Sequence, residues 1–475
     1  MSNIRSKTVS GMFWGNVEKF SMQGVQFVLN IIMARLLSPH EFGLIAMLSV
    51  FMYISQVFID GGFSTALIRS KNNSEIDFST VFFINLAISI FFYILFFSFA
   101  PFIASFYNQP ELCLITRVYT FNLIINSLVA INKVKLIIAV DFKTQSKISI
   151  LAIVISGVIG IWVALYGFGV WALVIQMMLN AVLNVFFSFY YVRWFPKKAF
   201  SMNSFHRLFS FGSKLLGASL ITSLYDQIYK LVIGKLFSSG QLGIYTQAEQ
   251  LASFSSHNMS AVFQKVSLPI LSQLQDNQDE LLIYLRKIVK ISAFIVFPLV
   301  MGMVGIAKPL IEVLLTAKWS GCVIYLQILS FAVLFDCVIA VNLNSLNAKG
   351  RSDLVLRLEV IKKTIAIIIL LISLPWGVLG VCIGRVIYSL IAFYLNTYYT
   401  GKLFNYGFIN QVKDISPYLA LSVLMAILGL YITYSIDSSV IAFVSILLIC
   451  PLFYLGLSSL FKLYSYLELL KIVSH

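Results

Sequence analysis

The 475 residues are 59% hydrophobic and only 11% charged, against about 25% charged in an average soluble domain, so a soluble chain of this length could not cover its own surface. The net charge of +15 comes without a basic patch interleaved with aromatics, which argues against nucleic acid as a partner. The apolar runs are long and do not alternate as β-barrel strands do, which leaves an all-α integral membrane protein.

Met1–Ser10 leads straight into a run too long for a cleavable signal, so no leader is expected. In chain order, stretches able to cross about 30 Å of hydrocarbon lie at 12–36, 43–68, 79–105, 113–138, 148–166, 169–192, 208–236, 242–264, 283–307, 322–347, 354–374, 377–400, 416–434 and 438–461. Fourteen spans are therefore expected. The eighth is the most polar: between Tyr245 and His257 it carries Thr246, Gln247, Glu249, Gln250, Ser253, Ser255 and Ser256, too polar a set to face lipid.

Charge in the connections tests this count. If the chain starts inside, the even connections hold Arg69 and Lys71, then Lys133, Lys135, Lys143 and Lys147, then Arg193, Lys197, Lys198 and Arg207. They continue with Lys265, Arg286, Lys287 and Lys290, then Lys349, Arg351, Arg357, Lys362 and Lys363, then Lys402 and Lys413. Arg5, Lys7, Lys462 and Lys471 sit at the termini, whereas the odd connections hold Lys308 and Lys318. Basic residues gather on the cytoplasmic side, so both termini are expected there.

An internal repeat accompanies the spans. Residues 34–48, ARLLSPHEFGLIAML, match 234–248, GKLFSSGQLGIYTQA, at Leu36/Leu236, Ser38/Ser238 and Gly43/Gly243, and YGFGV at 166–170 matches WGVLG at 376–380. Both matches fall six spans apart, so the copies point the same way across the membrane. Parallel repeats of this kind mark transporters whose site lies at the repeat interface. The expected organisation is a first six-helix lobe at 1–200, a second at 201–405, and two further spans with a tail at 406–475.

Some charges fall within or at the outer ends of the spans: Lys19, Arg35, Arg117, Lys214, Lys230, Lys235 and Arg385. A charge at a helix centre costs roughly 2.5–3.5 kcal/mol on insertion and so needs a cavity or a partner. Spans 1 and 7, equivalent in the repeat, carry most of them. Lys19, Arg35, Lys214, Lys230, Lys235 and Arg385 are the candidates for a cationic cavity that receives a phosphate-like anion. Glu18, Asp60, Asp226 and Asp336 are the candidates for ion coupling or gating. The plainer alternatives are pairing of Asp226 with Lys230 four residues on, snorkelling of Arg35, Lys235 and Arg117 to headgroups, and local hydrogen bonding of Asp60 and Asp336. Asp60 precedes Gly61-Gly62, which favours local packing.

Cys113, Cys322, Cys337, Cys382 and Cys450 are scattered without C-x-x-C, and the four histidines are dispersed, so neither a disulfide framework nor a metal site is expected. No Walker loop, H-E-x-x-H, G-x-S-x-G or dinucleotide fingerprint occurs, and no cofactor is implied.

Whole segments resemble a known family. ARLLSPHEFGLIAM (34–47), DGGFSTALIR (60–69), FYNQPEL (106–112), GFGVWALVIQ (167–176), LGIYTQAEQL (242–251) and LPILSQLQD (268–276) are similar to polysaccharide transporters, the Wzx-type flippases of O-antigen, capsule and exopolysaccharide assembly. These stand in the larger superfamily of multidrug and toxin extruders and the peptidoglycan-precursor flippase. The likeness covers about residues 10–400. It implies two six-helix lobes about a pseudo-twofold axis along the membrane normal, plus two extra helices. It also implies alternating access that carries an undecaprenyl-pyrophosphate-linked oligosaccharide from the cytoplasmic to the periplasmic leaflet. Polysaccharide polymerase and glycosyltransferases of the same pathway are the implied partners. An ion-coupled drug exporter is the alternative within transport. A membrane polymerase or glycosyltransferase is disfavoured by the short outer connections, so the protein is expected not to be an enzyme.

Overall fold

In the computed structural model, the described residues are 21–70, 72–197 and 200–473, and among them the chain is all helical with no strand. Helix covers residues 21–36 (α1). There follow α2 (Pro39–Asp60), α3 (Phe63–Arg69), α4 (Glu75–Tyr107), α5 (Glu111–Tyr119), α6 (Asn122–Ile138), α7 (Phe142–Leu165), α8 (Val170–Val192) and α9 (Met202–Leu236). Then come α10 (Ser239–Gln273), α11 (Gln278–Leu314), α12 (Cys322–Ala332), α13 (Asp336–Ala348), α14 (Ser352–Ser373), α15 (Gly377–Phe404), α16 (Phe408–Ser435), α17 (Ser439–Leu460) and α18 (Tyr464–Val473).

By length and composition, ten helices among the described residues suffice to cross a membrane; the chain is a multi-pass membrane protein. α14 and α15 count there as one continuous stretch, Ser352–Phe404, although Pro375 and a positive φ of 71° at Gly377 turn the chain between them. The long α9 and α10 are not among the ten, because polar residues interrupt their apolar surface.

Polar side chains written into the sequence set the helix ends. Ser74 opens α4 with a reciprocal box: Asp77 N–H donates to the Ser74 hydroxyl (3.2 Å) and Ser74 N–H to the Asp77 carboxylate (2.8 Å). Asn108 closes α4 in the left-handed region. Ser201, Asn277 and Ser438 cap α9, α11 and α17.

Three of the expected spans are each broken into two helices. The span expected at 43–68 turns at Gly61 and Gly62 (φ 51° and 72°), where a β-carbon on Gly62 would lie 2.5 Å from the Gly212 carbonyl oxygen of α9. The span at 113–138 breaks at Thr120–Phe121, and the one at 322–347 at Val333–Phe335. These last two are six spans apart, so the break recurs at corresponding places in the repeat.

The described residues form two compact units, divided between Gly243 and Ile244. In the first, the N-terminus of α4 is pinned by charge: Glu75 accepts from Lys135 Nζ (2.8 Å) and Trp194 Nε1 (2.6 Å), and the buried Asp77 pairs with Arg207 (2.6 Å). Beneath lie Phe63, Leu67, Phe78, Val81 and Ile131. In the second unit α11 lies along α16, brought close by small residues: a β-carbon on Gly305 would stand 3.1 Å from Gly429, and Thr433 donates to the Gly305 carbonyl (3.0 Å). Asp414 ties this unit's polar end. It accepts from Arg286 (2.9 and 3.0 Å) and Tyr406 (2.9 Å) and pairs with Lys290 (3.1 Å). Burial, and then the Asp414 carboxylate, push the Tyr406 phenol well above its usual range, so it remains a donor.

Candidate functional site

α10 is a helix of two polar faces. Gln247, Ser256, Ser260 and Ser267 are buried. Two of these lock α10 to the broken span: Ser256 donates to the Val333 carbonyl (2.8 Å), and Asn344 donates to the Gln264 carbonyl (2.9 Å) and the Ser267 hydroxyl (2.8 Å). Bordering this buried set, Gln250, His257 and Gln264 are exposed, with exposed Phe254 between the first two. Seven residues advance a helix by nearly two turns, so these three form one stripe. In a membrane protein such a stripe faces a water-filled space or another polar surface rather than lipid.

Charged neighbours converge on α10 from the rest of the second unit. Arg385, midway along α15, pairs with Glu249 of α10 and donates to the Tyr245 hydroxyl (2.7 Å). The Arg385 and Glu249 side chains are each 21% exposed, so the pair is only partly buried. Asp336 begins α13, where the broken span leaves N–H groups without helical partners. Its carboxylate lies 4.0 Å from His257 Nε2 and in the field of Arg385 and Lys362. Lys362 is itself buried and held by Glu359 (2.5 Å). The assembly offers one cation with an alternative acceptor, a hydroxyl, an imidazole and a carboxylate within a few turns of three helices. An anionic group can be received there by exchange with Glu249.

The first unit distributes its charges differently. Lys235 donates to the Phe106 carbonyl (2.5 Å) and lies over the Phe106 ring (4.5 Å), so it caps the C-terminal end of α4, where a cation is favoured. Arg35 and Lys214 are exposed, Lys230 is half-buried and Asp226 exposed. At about 100° per residue, Lys214 and Lys230 stand on opposite faces of α9. Asp60 accepts from the Ser64 hydroxyl one turn away, a local bond across the Gly61-Gly62 turn. Glu18 and Lys19 lie outside the described residues.

The repeated segments touch each other within the first unit. A β-carbon on Gly43 would fall 1.8 Å from the Ser239 carbonyl oxygen, and one on Gly243 would fall 1.9 Å from that of Pro39. Gly43 and Pro39 stand 200 positions before Gly243 and Ser239, so the contact is reciprocal, as a two-fold relation requires. His40 Nδ1 and Ser239 Oγ, 2.6 Å apart, flank it.

The Glu249–Arg385 pairing and the His257–Asp336 approach were not visible in the sequence. Tyr245 and Glu249, one turn apart in a polar span, were the available signal. Nothing local marked their partners on α13 and α15.

Residues 32–324 match the family described as polysaccharide biosynthesis protein. The teichuronic acid biosynthesis protein TuaB of Bacillus subtilis is 24% identical over 356 residues, 74% of each chain. The lipopolysaccharide biosynthesis protein WzxC of Escherichia coli is 22% identical over 396 residues, 82% of this chain and 80% of that one. Among solved structures, the lipid II flippase MurJ in an inward closed conformation superposes with a TM-score of 0.73 at 18% identity, over 96% of this chain and 99% of that one. An inward-facing multidrug resistance MATE transporter gives 0.57 at 16%, over 83% and 95%. At these identities the two structures bear on the fold.

Proposed function

The chain belongs to the polysaccharide biosynthesis protein family, and on that premise we propose that it is a flippase for a lipid-linked oligosaccharide. The cargo is carried on undecaprenyl pyrophosphate and passes from the cytoplasmic to the periplasmic leaflet for surface polysaccharide assembly. The observation that carries the reading is the charged site of Arg385, Glu249, Tyr245, His257 and Asp336, built where the polar α10 meets α13 and α15. Arg385 receives the pyrophosphate and Glu249 releases it, while the polyprenyl tail stays in lipid. Lys19, Arg35, Lys214, Lys230 and Lys235 supply further positive potential along the path, and Glu18, Asp60, Asp226 and Asp336 are the acidic groups available for coupling.

The same proposal includes fourteen spans with both termini cytoplasmic, in a bacterial inner membrane. It includes two parallel lobes, 1–200 and 201–405, and an appended 406–475. The recurring break at Thr120–Phe121 and Val333–Phe335 and the reciprocal Gly43/Gly243 contact support a parallel repeat. The protein performs no bond chemistry in this reading; polymerase and glycosyltransferases of the pathway act before and after it.

Depletion in the cell of origin tests the proposal. Surface polysaccharide should fall while the complete lipid-linked unit accumulates, protected from a lectin added outside spheroplasts. Unchanged surface polysaccharide on depletion overturns it, and a change in drug susceptibility alone would point to a small-molecule exporter.

A further inference from the structure

A cavity of about 400 Å³ lies in the first unit where α2, α5 and α8 begin, within the range of about 300–1,000 Å³ usual for small-molecule sites. Three separate segments build it: His40 and Glu41 from the start of α2, Glu111 from the start of α5, and Phe168 and Trp171 from the turn into α8. Each comes from a stretch that carries the family resemblance, yet none is used by the charged site of the second unit.

The lining has a specific chemical character. Phe168 is 60% exposed, held out by a turn whose flanking Gly167 and Gly169 have φ of 81° and 54°. Trp171 lies one helical turn inward. The polar groups are mostly acceptors. Glu41 accepts from the Ser38 N–H and from its hydroxyl (2.7 Å), which leaves its second oxygen directed at the turn. A β-carbon on Gly169 would lie 2.8 Å from that oxygen, so the glycine lets the carboxylate approach. Glu111, 62% exposed, stands 3.9 Å from His40 Nε2. Among the described residues no three such groups are placed to hold a metal ion. Two carboxylates able to accept several hydroxyl protons, an imidazole and two aromatic faces are complementary to a polyol ring, whose C–H faces are apolar and whose edge is a row of O–H donors.

We propose that the pocket of His40, Glu41, Glu111, Phe168 and Trp171 is a carbohydrate subsite that holds one or two sugar residues of the transported glycan. That the glycan is cargo rests on the flippase reading. His40 joins this pocket to the Ser239 hydroxyl beside the crossing of the repeated segments.

The test uses purified full-length protein in lipid nanodiscs and saturation-transfer NMR with glucose, galactose, rhamnose, N-acetylglucosamine, glucuronic acid, lactose and maltose. At least one sugar should show saturable transfer that weakens at least tenfold in both Phe168→Ser and Glu111→Gln, exposed positions whose replacement leaves the helices intact. Trp376→Ala, an exposed aromatic of the second unit, should bind as wild type. Absence of saturable transfer from every sugar, or equal transfer in the two pocket variants, overturns the subsite. The flippase reading fails separately: sugars would still bind, but depletion would leave surface polysaccharide unchanged.

Discussion

Replacing Gly43 by alanine perturbs one atom at a defined place. The new β-carbon would start 1.8 Å from the Ser239 carbonyl oxygen, whereas ordinary contact begins at 3.4 Å. The obstacle is backbone in the first turn of α10, so no side chain can swing aside, and α2 and α10 must part by more than an ångström. Overpacking of this kind costs about 1–3 kcal/mol, which corresponds to roughly a fivefold to 150-fold shift against the state in which the segments touch. Cysteines introduced at His40 and Ser239, whose side chains meet at 2.6 Å, report that state through the rate of oxidative cross-linking, read by mass spectrometry in a background without the native cysteines. Gly43→Ala should slow cross-linking by that factor, and Gly243→Ala should do the same from the other copy. Equal rates in wild type and both variants would refute the reciprocal packing.

Other outcomes follow from particular contacts. Arg385→Ala should abolish most surface polysaccharide, while Arg385→Lys should retain a measurable part because charge persists without the guanidinium fork; equal export by all three would remove Arg385 from the site. Asp414→Ala should destabilise the second unit by about 2–3 kcal/mol, since Arg286, Lys290 and Tyr406 all lose one acceptor, and a melting curve in detergent identical to wild type would contradict this. Asp60→Asn keeps an oxygen that accepts from Ser64 and removes only the charge, so it should lower surface polysaccharide; wild-type export would remove Asp60 from the coupling groups.

The sequence by itself determined the class of molecule and much of its layout. Long non-alternating apolar runs allow only helices in hydrocarbon, where backbone groups must be satisfied within each segment. The polarity of α10 was equally legible, since seven polar residues within about three turns cannot all face lipid. The repeated glycine likewise stood out from 34–48 and 234–248.

Tertiary structure decided what the charges do. Arg385 and Glu249 are 136 residues apart, and no periodicity on either helix names the other. Lys235 could be placed in a span by sequence, but its contact with the Phe106 carbonyl and ring at the C-terminal end of α4 appears only in the fold. His257 looked isolated until the break at Val333–Phe335 placed Asp336 beside it. Hydropathy depends on each residue's own transfer energy and so can be read along the chain; pairing depends on which helices come together, and that is settled only when the helices pack.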